Sequence, residues 1–204
     1  MRALILVDLQ NDFCKYGALE VKDGDLVIPI ANSLMDKFDL VVATQDWHPA
    51  NHESFAANHN LWDKPGDIIN LHGLEQVLWV THCVQNTYGA AFVKELNVEK
   101  IHKIFPKGMN PQIDSYSGFF DNGKRQSTGL GEYLQTQGIK EVYIMGLATD
   151  YCVKFTTLDA LDLGFKTYLI EDACRGVNLQ PQDSAVAIAT MQDKGAILIQ
   201  FKNI

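Results

Sequence analysis

The stretch Val142-Tyr143-Ile144-Met145-Gly146-Leu147-Ala148-Thr149-Asp150-Tyr151-Cys152 passes from a short, almost wholly apolar run, through a turn, into a helix-patterned segment that ends near Leu163. An apolar run too short for a helix reads as a strand buried on both faces. A strand that feeds straight into a helix is the repeating step of a parallel sheet. The step recurs along the chain: β-rich apolar runs occupy 2–7, 40–45, 101–105, 142–147, 166–170 and 196–200, and helical patterns occupy 24–37, 84–96, 127–138, 152–163 and 181–193. Gly138 and Gly164 follow two of the helical stretches, and Pro181 with Asp183 opens the last. Alternation of this kind predicts an α/β fold, a three-layer doubly wound sandwich whose six-stranded, mainly parallel sheet has the order 3-2-1-4-5-6 and helices on both faces.

At 204 residues the chain suits one well-buried core, so a single domain over 1–204 is expected. Its formal charge of −8, without any block of Lys or Arg, argues against nucleic acid or an anionic membrane as partner, because nothing would offset phosphate repulsion. Small-molecule or protein partners remain. The apolar run Ala3-Leu4-Ile5-Leu6-Val7 is too short for a secretory segment or a membrane span. Cys14, Cys83, Cys152 and Cys174 lack paired spacing, which is read as free thiols in a reducing cytoplasm. Segments 49–78 and 106–126 break the alternation. They are long, polar, Gly- and Pro-punctuated and rich in aromatics, as functional loops are, and they leave room for a homo-oligomer surface.

Doubly wound sheets bind ligands beyond the carboxyl ends of their strands, where the strand order reverses. Strand one ends at Asp8, strand two at Asp46 and His48, strand three at Lys107 and strand four at the Cys152 turn. In the order 3-2-1-4-5-6 the reversal lies between strands one and four, so Asp8 and Cys152 flank the crevice. Cys152 reads as a nucleophile whose thiolate is favoured by the start of a helix, or as a small apolar filler of the junction. Asp8 reads as its base or as a turn residue, and Lys107 as the cation that balances the charge or as a solvated loop lysine. Asp46 and His48, two residues apart in extended chain, project the same way and can meet on one ion with the remote His82. His52 could add a ligand or merely tie down its loop.

These residues fall in five ordered motifs: Val7-Asp8-Leu9-Gln10-Asn11-Asp12-Phe13; Asp46-Trp47-His48-Pro49; Trp79-Val80-Thr81-His82-Cys83-Val84; Phe105-Pro106-Lys107-Gly108 through Asp114-Ser115-Tyr116-Ser117-Gly118-Phe119; and Gly146-Leu147-Ala148-Thr149-Asp150-Tyr151-Cys152-Val153. Together they resemble the isochorismatase-like cysteine hydrolases, in their nicotinamidase branch, over most of the chain. Relatives that cleave the vinyl ether of isochorismate lack the cysteine. The resemblance implies Asp8, Lys107 and Cys152 as a catalytic triad, a cis peptide before Ala148, and an oxyanion hole from the Ala148 and Cys152 N–H groups. It implies a divalent metal, zinc before iron or manganese, on Asp46, His48 and His82, and substrate contacts from Phe13, Trp79 and Tyr116. The implied reaction is hydrolysis of nicotinamide, and of pyrazinamide, through a Cys152 thioester. The alternatives are another amidase or a carbamoyl or ureido hydrolase on the same scaffold, and a silent binding protein.

Overall fold

A computed structural model describes all 204 residues. Its strands are β1 (Arg2–Val7), β2 (Leu40–Asp46), β3 (Ile68–Leu71), β4 (Leu74–Val77), β5 (Lys103–Lys107), β6 (Glu141–Leu147), β7 (Lys166–Arg175) and β8 (Ile197–Ile199). Its helices are α1 (Val27–Leu34), α2 (Leu130–Thr136), α3 (Lys154–Asp162) and α4 (Asp183–Asp193). Six strands make one sheet in the order β5-β2-β1-β6-β7-β8, parallel at every pairing. With the β3–β4 hairpin set aside, this is the order 3-2-1-4-5-6 read from the sequence. Crossovers of one hand put α1, which leads toward β2, on the face opposite α2, α3 and α4, which lead the other way.

The two central strands are apolar because both of their faces are covered. Ala3 through Val7 on β1 and Val142, Ile144, Met145 and Leu147 on β6 have no exposed surface. α1 buries Val27, Ile28, Ala31 and Leu34, a helical stripe, against this layer. α3 is less apolar and buries Thr156 and Thr157, whose hydroxyls are spent internally: Thr157 donates to the Val153 carbonyl at 2.8 Å, and Thr156 accepts the Gly118 N–H at 2.9 Å. Gly138 and Gly164 close α2 and α3 with φ of 70° and 84°, as their places in the sequence suggested.

One glycine decides how closely the crevice closes. Gly146 has φ 127°, and a Cβ there would lie 2.2 Å from the Val7 carbonyl oxygen. Only glycine lets the end of β6 come against the end of β1, where Val7 pairs with Gly146. On the other side of β1, the register of β2 and β5 sets Asp46 opposite Lys107.

Two readings of the sequence need correction. The helical pattern at 84–96 forms no helix. This segment is held by long-range pairing instead: Asn11 and Asp12 donate their N–H groups to the Ala91 and Gly89 carbonyls, and the Asp12 carboxylate packs where a Gly89 Cβ would stand. The segment 49–78, read as loop, contains the antiparallel β3–β4 hairpin. No helix is long and apolar enough to cross a membrane. All four cysteines are free and buried.

Candidate active site

The chain leaves β1 by a left-handed turn at Asp8, φ 51°, a conformation that Asp tolerates better than most residues. Asp8 is thus a turn residue, and the turn is what aims its carboxylate into the crevice. Its N–H is accepted by Thr44 Oγ1 at 3.2 Å, and the Thr44 hydroxyl donates to Asp8 Oδ1 at 2.6 Å. Opposite, the peptide between Leu147 and Ala148 is cis, and Thr149–Val153 form a wide helical turn that runs into α3. Cys152 lies within that turn. The Ala148 N–H has no acceptor in the protein.

Asp8, Lys107 and Cys152 meet. Lys107 is buried from solvent and donates to Asp46 Oδ1, to the Ser115 carbonyl at 2.9 Å and to Cys152 Sγ at 3.3 Å. Asp8 Oδ2 sits 2.9 Å from Lys107 Nζ as an ion pair, outside hydrogen-bonding geometry. One oxygen of Asp8 lies within 4.8 Å of Cys152 Sγ.

Burial raises the Asp8 carboxyl above its ordinary value, with Asp46 adding to the rise, although Lys107 and Thr44 work against it. Burial likewise pushes the Cys152 thiol well up despite Lys107. Burial therefore opposes the help that a helix start gives the thiolate, and the raised Asp8 carboxyl beside it is the stronger base. For Lys107, burial disfavours the charge, but Asp46 and Asp8 outweigh it and hold the ammonium well above its ordinary value.

On the far side of Lys107, Asp46 Oδ2 faces His48 Nε2 at 3.5 Å and His82 Nε2 at 3.6 Å. His48 Nδ1 donates to the Gly108 carbonyl at 2.9 Å and His82 Nδ1 to the Val80 carbonyl at 2.8 Å, with the tautomers assigned from those acceptors. Each ring therefore turns a bare Nε2 toward the carboxylate. Three lone-pair atoms within 4.8 Å of one another, backed by carbonyls that fix the rings, are a donor set for a divalent cation. The charges agree, because one ammonium here faces two buried carboxylates. Burial opposes a charge on His48, but Asp46 outweighs it and raises its pKa. Asp46 is thus shared, with one oxygen on Lys107 and the other toward the imidazoles.

His52 stands with a neighbouring set, His48 and Asp114, rather than with Asp46 and His82. Its Nδ1 meets Ser54 Oγ at 2.7 Å, its Nε2 is buried without a partner, and burial brings its pKa down to about 4. Phe13, Trp79 and Tyr116 line one narrow cleft, together with Asp46, His82, Ala148 and Cys152. Trp79 Nε1 donates to the Tyr116 hydroxyl at 3.2 Å.

Several residues of the site escaped the sequence reading. Tyr151, Leu19, Asp114 and Val177 line the same cavity, and Tyr151 stands edge-on to Trp79 at 4.7 Å. The buried Gln10 side chain imitates a strand: its Oε1 accepts the Asp46 N–H and its Nε2 donates to the Asp46 carbonyl, both at 2.8 Å. Asp12 accepts the Cys83 N–H at 2.7 Å and so ties the His82 loop to the end of β1. Polar residues placed directly after an apolar strand were the available signal for Gln10 and Asp12.

An isochorismatase domain model matches residues 2–202. A nicotinamidase of Escherichia coli K12 is 54% identical over 201 residues, which cover 97% of this chain and 93% of that one. An Acinetobacter baumannii nicotinamidase/pyrazinamidase structure superposes with a TM-score of 0.96 at 46% identity, covering 99% of this chain and 97% of that one. The pyrazinamidase of Pyrococcus horikoshii in complex with zinc gives a TM-score of 0.79 at 40% identity, covering 98% of each chain.

Proposed function

The chain belongs to the isochorismatase domain family, and we propose that it hydrolyses nicotinamide to nicotinate and ammonia, and pyrazinamide likewise, through a thioester on Cys152. One observation carries this reading: a thiol, a carboxylate and an ammonium beside an aromatic-walled cleft, joined through Asp46 to an Asp-His-His donor set. A flat aromatic amide with a ring nitrogen matches the aromatic walls, the thiol and the donor set together. Close relatives named nicotinamidase support the choice of amide.

Asp46, His48 and His82 would hold one divalent cation, and zinc, the ion in the Pyrococcus complex, suits them as iron or manganese would. When bound, such an ion supplies a Lewis acid for the pyridine nitrogen and so orients the ring. Phe13, Trp79 and Tyr116 hold the ring's faces and set the carboxamide over Cys152, positioning that can remove several kcal/mol of barrier.

Asp8 takes the Cys152 proton and the sulfur bonds to the amide carbon. The carbonyl oxygen becomes an oxyanion, received by the Ala148 and Cys152 N–H groups at about 3 kcal/mol for each such donor. As the C–N bond breaks, Asp8 returns the proton to the departing nitrogen and ammonia leaves a thioester. Asp8 then takes a proton from water, the hydroxide adds to the thioester, and the C–S bond breaks to release nicotinate. The Asp8 proton restores the thiol. Lys107, bonded to Cys152 Sγ and Asp46 and set beside Asp8, offsets the negative charge as it passes between sulfur and carboxylate. The free thiols fit a reducing compartment such as the cytoplasm.

The test is ammonia release from nicotinamide by the purified protein. Release that a chelator abolishes and zinc restores is expected. No release from nicotinamide, with hydrolysis of a carbamoyl compound instead, would overturn the assignment.

A further inference from the structure

We propose that Thr44 is a positioning residue that divides the work between the two oxygens of Asp8: it occupies Oδ1 and thereby fixes Oδ2 as the oxygen that receives the Cys152 proton. The inference rests on Asp8 being the base and adds which of its atoms carries the proton and what decides it.

The argument is an accounting of donors. Thr44 has no exposed surface and sits on β2 beside the end of β1. Its hydroxyl oxygen accepts the Asp8 N–H at 3.2 Å, so its single hydrogen is free to go only elsewhere, and Asp8 Oδ1 lies 2.6 Å away. The residue therefore clamps Asp8 at two points, backbone and carboxylate. Oδ1 is then engaged by a neutral hydroxyl, which takes up one of its two lone pairs and lowers its basicity relative to Oδ2. Oδ2 is buried and lies 2.9 Å from the Lys107 ammonium as an ion pair, outside hydrogen-bonding geometry, while Lys107 bonds to Asp46, Ser115 and Cys152. A bare carboxylate oxygen beside an ammonium can accept a proton without breaking any bond in the site.

The groups that face Asp8 from the elements around it are Lys107 on β5, Asp46 on β2, Cys152 on the helical turn and Cys83 in the loop beyond β4. None of these is altered by a change at Thr44. The side chain also offers clean variants. Its methyl Cγ2 rests where a Gly118 Cβ would lie, at 2.5 Å. Thr44→Val keeps that methyl and removes the hydroxyl, whereas Thr44→Ser keeps the hydroxyl and removes the methyl.

The experiment is the pH profile of ammonia release from nicotinamide by the metal-loaded enzyme, with kcat and KM separated. Thr44→Val is expected to lower kcat by about tenfold or more with KM little changed. Its acid limb should move up by about one to two pH units, the size of a lost hydrogen bond to a charged group. Thr44→Ser should restore both. If Thr44→Val is insoluble, Thr44→Ala removes the same hydroxyl and is read against Thr44→Ser. A valine variant with the parent kcat and acid limb overturns the proposal, as does a serine variant as impaired as the valine one, since the methyl would then be what matters. Asp8→Asn separates the two levels: if it stays active, Asp8 is not the base, and if it is dead beside an unaltered Thr44→Val, only the role of Thr44 falls.

Discussion

Replacing Lys107 by methionine keeps the length of the side chain and removes its charge, and the structure fixes both the size and the pH dependence of the result. Lys107 is fully buried between Asp8 and Asp46. Removing one partner of a buried ion pair costs about 3–5 kcal/mol, because the other charge is left uncompensated. For a chain of this size that corresponds to a melting temperature lowered by roughly 6–20 °C.

The sign follows from linkage. The Lys107 ammonium is held well above its ordinary value, so its contribution is complete below that value and is lost only as pH rises through the folded one. For Asp46, burial disfavours the charge but Lys107 and His48 outweigh it, and its carboxyl is held well below the ordinary range. Its stabilising charge is lost only as pH falls through that lowered value. Without Lys107 both carboxylates should rise above the ordinary range, and protonating them relieves the variant as pH falls from neutrality. The gap between parent and Lys107→Met, measured by urea unfolding in chelator, should therefore be widest near neutrality and shrink toward about pH 5. A gap that stays constant or widens on acidification would refute the reasoning.

Other outcomes follow from the same geometry. Gly146→Ala should cost about 2–4 kcal/mol in urea unfolding and reduce turnover, since its Cβ meets the Val7 carbonyl where β1 and β6 close the crevice. The acid limb of kcat/KM should lie above the ordinary carboxylate range of about 3.9, because Asp8 must be charged to accept a proton and its burial raises it; a limb at or below that range would contradict this. His82→Ala should lower bound zinc by elemental analysis and raise KM more than it lowers kcat, and an unchanged zinc content would remove His82 from the ligand set.

Asp8, Lys107 and Cys152 were legible because a parallel sheet sends every strand's carboxyl end to one edge, so that finding the strands found the site. Asp46 and His48 followed from the period of two, which holds beyond β2 because His48 continues in register with Val84. The 84–96 segment misled because a local pattern cannot register its long-range hydrogen bonds with residues 10 to 12. Thr44 reads as an ordinary strand residue until β1 is laid beside it. Gln10 likewise acts on Asp46 across 36 positions of sequence, a relation that no local periodicity carries. The pull of the helix start on Cys152 is local and visible in the sequence, whereas the burial that opposes it comes from the whole cavity.

The most direct measurement is an acid quench of the enzyme during turnover of nicotinamide, followed by mass analysis of the peptide that holds Cys152. A nicotinoyl group on Cys152 in the parent, absent from Asp8→Asn, is the expected result. Steady ammonia release by Cys152→Ala, with no acyl group found on the parent peptide, would contradict the proposal that this sulfur, amine and carboxylate act as one catalytic unit.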